Sequence, residues 1–272
     1  MITTPNLLKY LLCISLCLHL AKVDASEKHP RKHALLQRRS VVAIAKRLMD
    51  SYPDFIIGCK GNYILWADST KMKFSEGDVK PSYTDLLNDP SLADQFTQKY
   101  PKGELTANPE KYQDPGRIRY EPFFMKMYGS TEGAVRKNLV EIIWCPKLVG
   151  QRILVTKVNG VDKKLKAISR ELDKHPELKK YITQIGGTFN WRNIKGTDRQ
   201  STHSFGTTLD LNVKCSNYWQ WDCGCNDEDA DLVYKNKIPQ LIVDIFEKNG
   251  FIWGGKWYHY DTMHFEYRPE LL

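Results

Sequence analysis

Two stretches near the C-terminus carry side chains that can do chemistry together. In Ser201-Thr202-His203-Ser204-Phe205-Gly206-Thr207-Thr208-Leu209-Asp210 an imidazole stands at the mouth of a turn and a carboxylate on the extended run that follows. Period-two alternation predicts Leu209, Leu211 and Val213 on a buried face and Thr208, Asp210 and Asn212 on the other. A mid-strand carboxylate with apolar neighbours on both sides needs a partner, and a cation is the most economical one, because an unpaired charge is costly to bury. Asp261-Thr262-Met263-His264-Phe265-Glu266 repeats the logic, with Met263, Phe265 and Tyr267 pointing one way and His264 and Glu266 the other. His203, Asp210 and His264 thus make a two-His, one-carboxylate set, which suits zinc with an open fourth position for water, as in hydrolytic sites. Asp261, three residues ahead of His264, is placed to take a proton from that water.

Singly these residues say little, since a lone His near a strand is more often structural and Asp-x-x-His arises by chance. Combined with the pattern Ser-x-His-x-x-Gly-x-x-x-Asp and the lead-in Trp253-Gly254-Gly255, they become specific. The stretch from about Gly186 to Leu272 resembles the D-alanyl-D-alanine carboxypeptidase family of zinc peptidases, which includes VanX-like dipeptidases and phage L-alanyl-D-glutamate endopeptidases. The resemblance implies that His203, Asp210 and His264 are zinc ligands and that Asp261 is the catalytic acid and base. It further implies that Arg192 polarises the scissile carbonyl and that Ser201 and Trp257 line the substrate groove. Arg199 is a nearby competitor for the arginine role; the segment ahead of Arg192 is the stronger strand. Two departures stand out. Carboxypeptidase and dipeptidase members usually have Glu where this chain has Asp261, as the endopeptidase branch does not, and Thr208 stands where the family often has Ala. The implied activity is hydrolysis of a peptide bond in the peptidoglycan stem, either L-Ala-D-Glu or D-Ala-D-Ala. The alternative is a zinc-containing module without turnover on the same scaffold, as in hedgehog-type signalling domains.

The elements that must position these residues follow from the hydrophobic pattern. Val41, Val42, Ile44, Ala45, Leu48 and Met49 recur at helical spacing before Tyr52-Pro53. Residues 58–114 read as irregular, with short strands, a helix, and turns at Gly61-Asn62 and Asp89-Pro90. Strands are predicted at Leu139 to Trp144, Ile153 to Val158, Thr188 to Ile194, Thr207 to Val213 and Met263 to Arg268. Helices are predicted over Val161 to Leu172 and from Pro239 to Lys248, the latter stopped by Asn249-Gly250. Strands and helices without regular alternation indicate an α+β fold, an antiparallel sheet with flanking helices, preceded by a mixed N-terminal region. The expected division is 1–25 as an export signal, 26–150 as an N-terminal region packed on or beside the rest, and 151–272 as the peptidase domain.

Composition fits an exported globular protein. The chain has 272 residues, 42% hydrophobic and 26% charged, which excludes collagen-like, low-complexity and wholly disordered classes. Lys9, an uncharged run from Tyr10 to Ala21, and Val23-Asp24-Ala25 look like a secretory signal, too short for a bilayer span. A periplasmic or extracellular address follows, with no stable membrane span in the mature chain. The net charge of +8 permits an anionic partner such as peptidoglycan or its peptide fragments. Export and the lack of a recognised binding motif argue against nucleic acid. Past the signal lie Cys59, Cys145, Cys215, Cys223 and Cys225, an odd number that allows at most two bridges. The last three read as a local disulfide, free thiols or a thiolate metal site. Asp227-x-Asp229-x-Asp231 begins like a calcium loop but lacks its turn Gly and closing Glu.

Overall fold

The computed structural model describes residues 41–78 and 80–272. The export signal, the basic lead-in up to Arg39, and Cys13 and Cys17 lie outside the described residues. Three antiparallel sheets are present among them. Strands β1 (Ile56–Lys60), β2 (Tyr63–Trp66) and β3 (Lys71–Lys73) form a meander, and β4 (Leu139–Trp144) pairs with β5 (Gln151–Thr156). The third sheet joins β6 (Ile185–Gly187), β7 (Thr208–Asn212), β8 (Phe251–Trp253) and β9 (His264–Tyr267) in the order β6-β7-β9-β8. The α+β reading with antiparallel sheets is therefore the observed one.

Two helices back the third sheet and the β4–β5 ribbon. In Val161–Leu172, Val161, Leu165, Ile168 and Leu172 are buried at spacings of three and four, while Lys163, Lys164, Lys166 and Arg170 face water. Gln240–Lys248 starts after Pro239 and buries Ile242, Val243, Ile245 and Phe246. One hydrophobic core runs from Val41, on the helix over residues 41–51, through Trp66, Phe123 and Trp144 to Phe205, Phe265 and Tyr267. The aromatic side chains of the first half thus pack in the same interior as the third sheet. Among the described residues no helix is long and apolar enough to cross a membrane.

Two local expectations need correction. The run Thr188 to Ile194 is not a sheet strand: β6 is the Ile-Gly-Gly segment before it, and beyond Gly187 only the single bridge Asn193 to Gln200 forms. Its backbone groups bond to the following turn instead, with Asn190 N–H donating to the His203 carbonyl and Ser201 N–H to that of Arg192. Val213 is not buried but 38% exposed, because β7 ends at Asn212, whose side chain accepts from Lys214 N–H and starts a short 3-10 turn. Strand β8 has no counterpart in the sequence reading, because its three residues between the stop of one helix and Gly254-Gly255 are too few to show a period.

Candidate metal centre

The sheet order brings the two chemical stretches side by side. In the β7–β9 register Asp210 lies directly opposite His264, Leu209 opposite Phe265 and Thr208 opposite Glu266. Leu209 and Phe265 are fully buried in the core, so Asp210 and His264 share the other face. That face is no solvent surface; Thr208 and Glu266 are also fully buried, and the site is the floor of a cleft.

His203 comes from the 3-10 turn Thr202–Phe205, whose N-cap Ser201 accepts from His203 N–H. The turn closes at Gly206 in the left-handed region, φ 65°, where a Cβ would stand 2.7 Å from the Leu139 side chain and 3.1 Å from Thr156 N. The His203 Nδ1–H donates to the Thr188 carbonyl at 2.6 Å, which turns Nε2 toward the cleft, 3.1 Å from Asp210 Oδ2. His264 presents the opposite nitrogen. Its Nδ1 is 3.0 Å from Asp210 Oδ1, and its Nε2 is held 3.2 Å from Glu266 Oε2. One ligand atom from each of His203, Asp210 and His264 lies within 4.8 Å of the others. A tetrahedral zinc site needs such atoms about 3.3 Å apart; the Asp210 oxygens are already 3.0 and 3.1 Å from the two imidazoles.

The donor chemistry fits zinc. Two imidazole nitrogens and one carboxylate converge, and each imidazole uses its second nitrogen on an outer oxygen that sets its tautomer and orientation. Among the described residues this is the group of His, Cys, Asp and Glu side chains that can hold an ion. In these side chains alone, burial works against the Asp210 charge, but His203 and then His264 hold its carboxyl far below the usual range. Burial likewise opposes a charged His264, yet its bonds to Asp210 and Glu266 push it up to about 10.

Asp261 sits at the head of the turn into β9, its carbonyl accepting from His264 N–H at 3.2 Å and its own N–H donating to Gly254 at 3.0 Å. Its Oδ1 is buried without a hydrogen-bond partner among the described residues. Burial, then repulsion from Asp210, lifts its carboxyl to about 6. An orphaned carboxylate oxygen beside the triad is what a water or an ion in the cleft would satisfy.

The cavity over the triad has a volume of about 450 Å³, and Arg192, Ser201, Trp257 and Asp261 line it along with the three ligand candidates. All seven residues expected from the sequence are thus brought together. Arg192 is exposed, its Nη1 donating to the Asn193 carbonyl at 3.2 Å. Ser201 and Trp257 are both buried, and each is already engaged: the Ser201 hydroxyl in capping the turn, the Trp257 Nε1–H with the Pro115 carbonyl at 2.7 Å.

Sequence reasoning missed the layer behind the ligands. Glu266, which holds His264, is itself gripped by Arg119 through two bonds of 3.2 and 2.6 Å and by Arg268 at 2.7 Å. Arg268 continues to Glu270, and Glu270 accepts from Tyr52 at 2.5 Å. The alternation His264-x-Glu266 was the signal for the carboxylate; Arg119, 147 residues away, has none. A second buried cluster lies alongside: His259 Nδ1 donates to Asp114 at 2.7 Å, Tyr83 donates to the same carboxylate, and Arg117 bridges Asp114 to Glu228. Cys223 and Cys225 form a disulfide and Cys59, Cys145 and Cys215 are free thiols, so the thiolate metal reading falls. The acidic loop is tied down by protein groups, Lys111 bonding Asp231 and the Asp229 carbonyl, and Tyr112 the Asp229 carboxylate.

The structure is an α+β domain with a His-Asp-His group at the floor of a cleft. Residues 195–267 match the family described as D-alanyl-D-alanine carboxypeptidase. The match contains His203, Asp210, Asp261 and His264, and it begins three residues after Arg192. No curated protein matches the chain.

Proposed function

We propose that the protein is a zinc-dependent peptidase acting on the peptide stem of peptidoglycan. The observation that carries this reading is the convergence of His203 Nε2, an Asp210 oxygen and His264 Nδ1, with each imidazole's other nitrogen already committed. His203 and His264 would hold the ion through those nitrogens and Asp210 through its carboxylate. Zinc bound there supplies a Lewis acid that lowers the pKa of a water and polarises a carbonyl.

The chain's own residues then have separable roles. Asp261 takes the proton of the attacking water on its carboxylate and returns it to the leaving nitrogen. Arg192 faces the negative charge that develops on the carbonyl oxygen. Ser201 fixes the turn that carries His203, and Trp257, with its ring centre 5.7 Å from that of His264, forms an apolar wall against which a peptide can lie. The stem peptide is supported by the family match and by the protein's positive charge. An exported address is supported by the signal-like first 25 residues and by the Cys223–Cys225 disulfide, which suits an oxidising compartment.

Purified protein incubated with muropeptides, with and without chelator, tests the reading by product mass. Chelator-sensitive release of D-Ala identifies a carboxypeptidase, and a cut after L-Ala identifies an endopeptidase. Asp261→Asn is expected to lower kcat by about 10²-fold or more while zinc still binds at one per chain. Intact muropeptides with stoichiometric zinc would instead make the protein a binding module.

A further inference from the structure

The cleft does not end at the triad. A second cavity of about 700 Å³ adjoins the first, and the two share Arg117, Arg119, Lys195, Arg199 and Tyr218 in their walls. Three guanidinium groups therefore stand where the cavities meet, and their charge balance is unequal. Arg117 is matched by Asp114 and Glu228, at 3.2 and 2.9 Å, and Arg119 by Glu266 at 2.6 Å. Arg199 has no ion pair among the described residues, and its Nε is buried with no hydrogen-bond partner there. Burial, then repulsion from Arg117, pulls its pKa down, and the nearby Glu228 carboxylate offsets this only in part.

The carboxylates that line the outer cavity do not supply one. Glu121 accepts from Gln200 N–H at 2.7 Å, Asp89 is paired with Lys80, Glu228 is held by Arg117 through both of its oxygens, and Asp198 is exposed at the rim. A half-buried guanidinium whose Nε is shut away without a partner among the described residues is costly to leave alone, and its planar donors match a carboxylate.

We propose that the outer cavity is an anion subsite in which Arg199 pairs with a carboxylate carried by the peptide. The subsite makes the protein selective for acidic stem peptides over their amidated forms. The inference deepens the peptidase reading and rests on it for the identity of the ligand. Two carboxylates of a stem peptide can occupy the subsite, the C-terminal one and the α-carboxylate of the isoglutamate residue, and the chemistry of the pair is the same for both.

The test uses the zinc-loaded Asp261→Asn protein, so that binding is read without turnover. Three peptides are titrated by calorimetry: the free acid stem, its C-terminal amide, and the form with the isoglutamate α-carboxylate amidated. One amide is expected to bind about tenfold or more weakly than the free acid, the scale of one charge-assisted bond, and that amide names the carboxylate. Adding Arg199→Gln should bring the ratio between free acid and that amide to within about twofold, and Arg199→Lys should keep part of it, with zinc stoichiometry and circular dichroism unchanged. Equal binding of the three peptides, no binding of any, or an equal loss for all three in Arg199→Gln would overturn the subsite. So would a preference erased by Arg192→Gln or Lys195→Gln but not by Arg199→Gln. Cleavage of the same peptides by the unmutated protein is measured separately. An intact preference without any cleavage removes the peptidase reading and leaves the subsite standing, whereas cleavage without preference does the reverse.

Discussion

At the residue scale, the two imidazoles are not equivalent. His203 donates to a backbone carbonyl through Nδ1 and faces Asp210 through Nε2, whereas His264 lies between two carboxylates whose bonds push its pKa up to about 10. An incoming cation must displace the Nδ1 proton of His264. Zinc affinity should therefore rise with pH between 6 and 8, by about tenfold per unit for one proton released. Calorimetry in buffers of different ionisation enthalpy would report that proton directly, and a pH-independent affinity would contradict the ligand assignment of His264. The neighbouring Asp261 shows the other side of burial, a carboxyl lifted by desolvation and by Asp210 rather than matched by a cation.

At the scale of elements, the turn Gly254–Lys256 between β8 and Asp261 is as tight as the strands it serves. A Cβ at Gly254 would fall 2.6 Å from the Asp261 carbonyl and 2.9 Å from the Trp257 ring. That carbonyl receives His264 N–H, so pushing it moves the base and the entry to β9 together. Gly254→Ala is expected to cost about 1–3 kcal/mol of stability and to lower kcat by more than tenfold, with zinc stoichiometry retained. Urea unfolding and steady-state kinetics separate the two effects. A fully active, fully stable variant would show that the turn tolerates displacement.

Across the whole molecule, the first half reaches into the site rather than decorating it. Arg119 grips Glu266 and lies 5.8 Å from the centre of the Trp257 ring, Tyr52 closes the chain through Glu270 and Arg268, and the core is continuous from Val41 to Tyr267. Residues 151–272 expressed alone are expected to stay unfolded, as judged by circular dichroism, because they would leave Glu266 buried without Arg119. The Asp114 cluster joins the halves a second time through His259. Burial opposes the Asp114 charge, but Arg117 and then His259 hold it at about 2 against an ordinary value of 3.8. A carboxyl depressed on folding stabilises the protein above its unfolded pKa and loses that contribution as pH falls from about 4 to about 2. The loss is about 2 kcal/mol, and it should vanish from the acid unfolding curve of Asp114→Asn.

How much could be read beforehand depends on the range of the forces involved. The helix Val161–Leu172, the strand Leu139–Trp144 and the capped stop of Gln240–Lys248 were legible because hydrophobic period and cap chemistry are local. The triad and Asp261 were legible because a short turn, a strand and a turn fix which side chains share a face. Thr188 to Ile194 was misread because its backbone partners lie in the 201–204 turn, which no alternation reveals. Arg119, Arg268, Asp114 and Arg199 belong to the tertiary structure alone. A buried charge is settled by whatever opposite charge packing brings to it, and these partners come from up to about 150 residues away. By itself the sequence determined the donors and their spacing. Only the folded chain decided which nitrogen each imidazole turns to the cleft and, among the described residues, that Asp261 Oδ1 and Arg199 Nε are buried there without a partner.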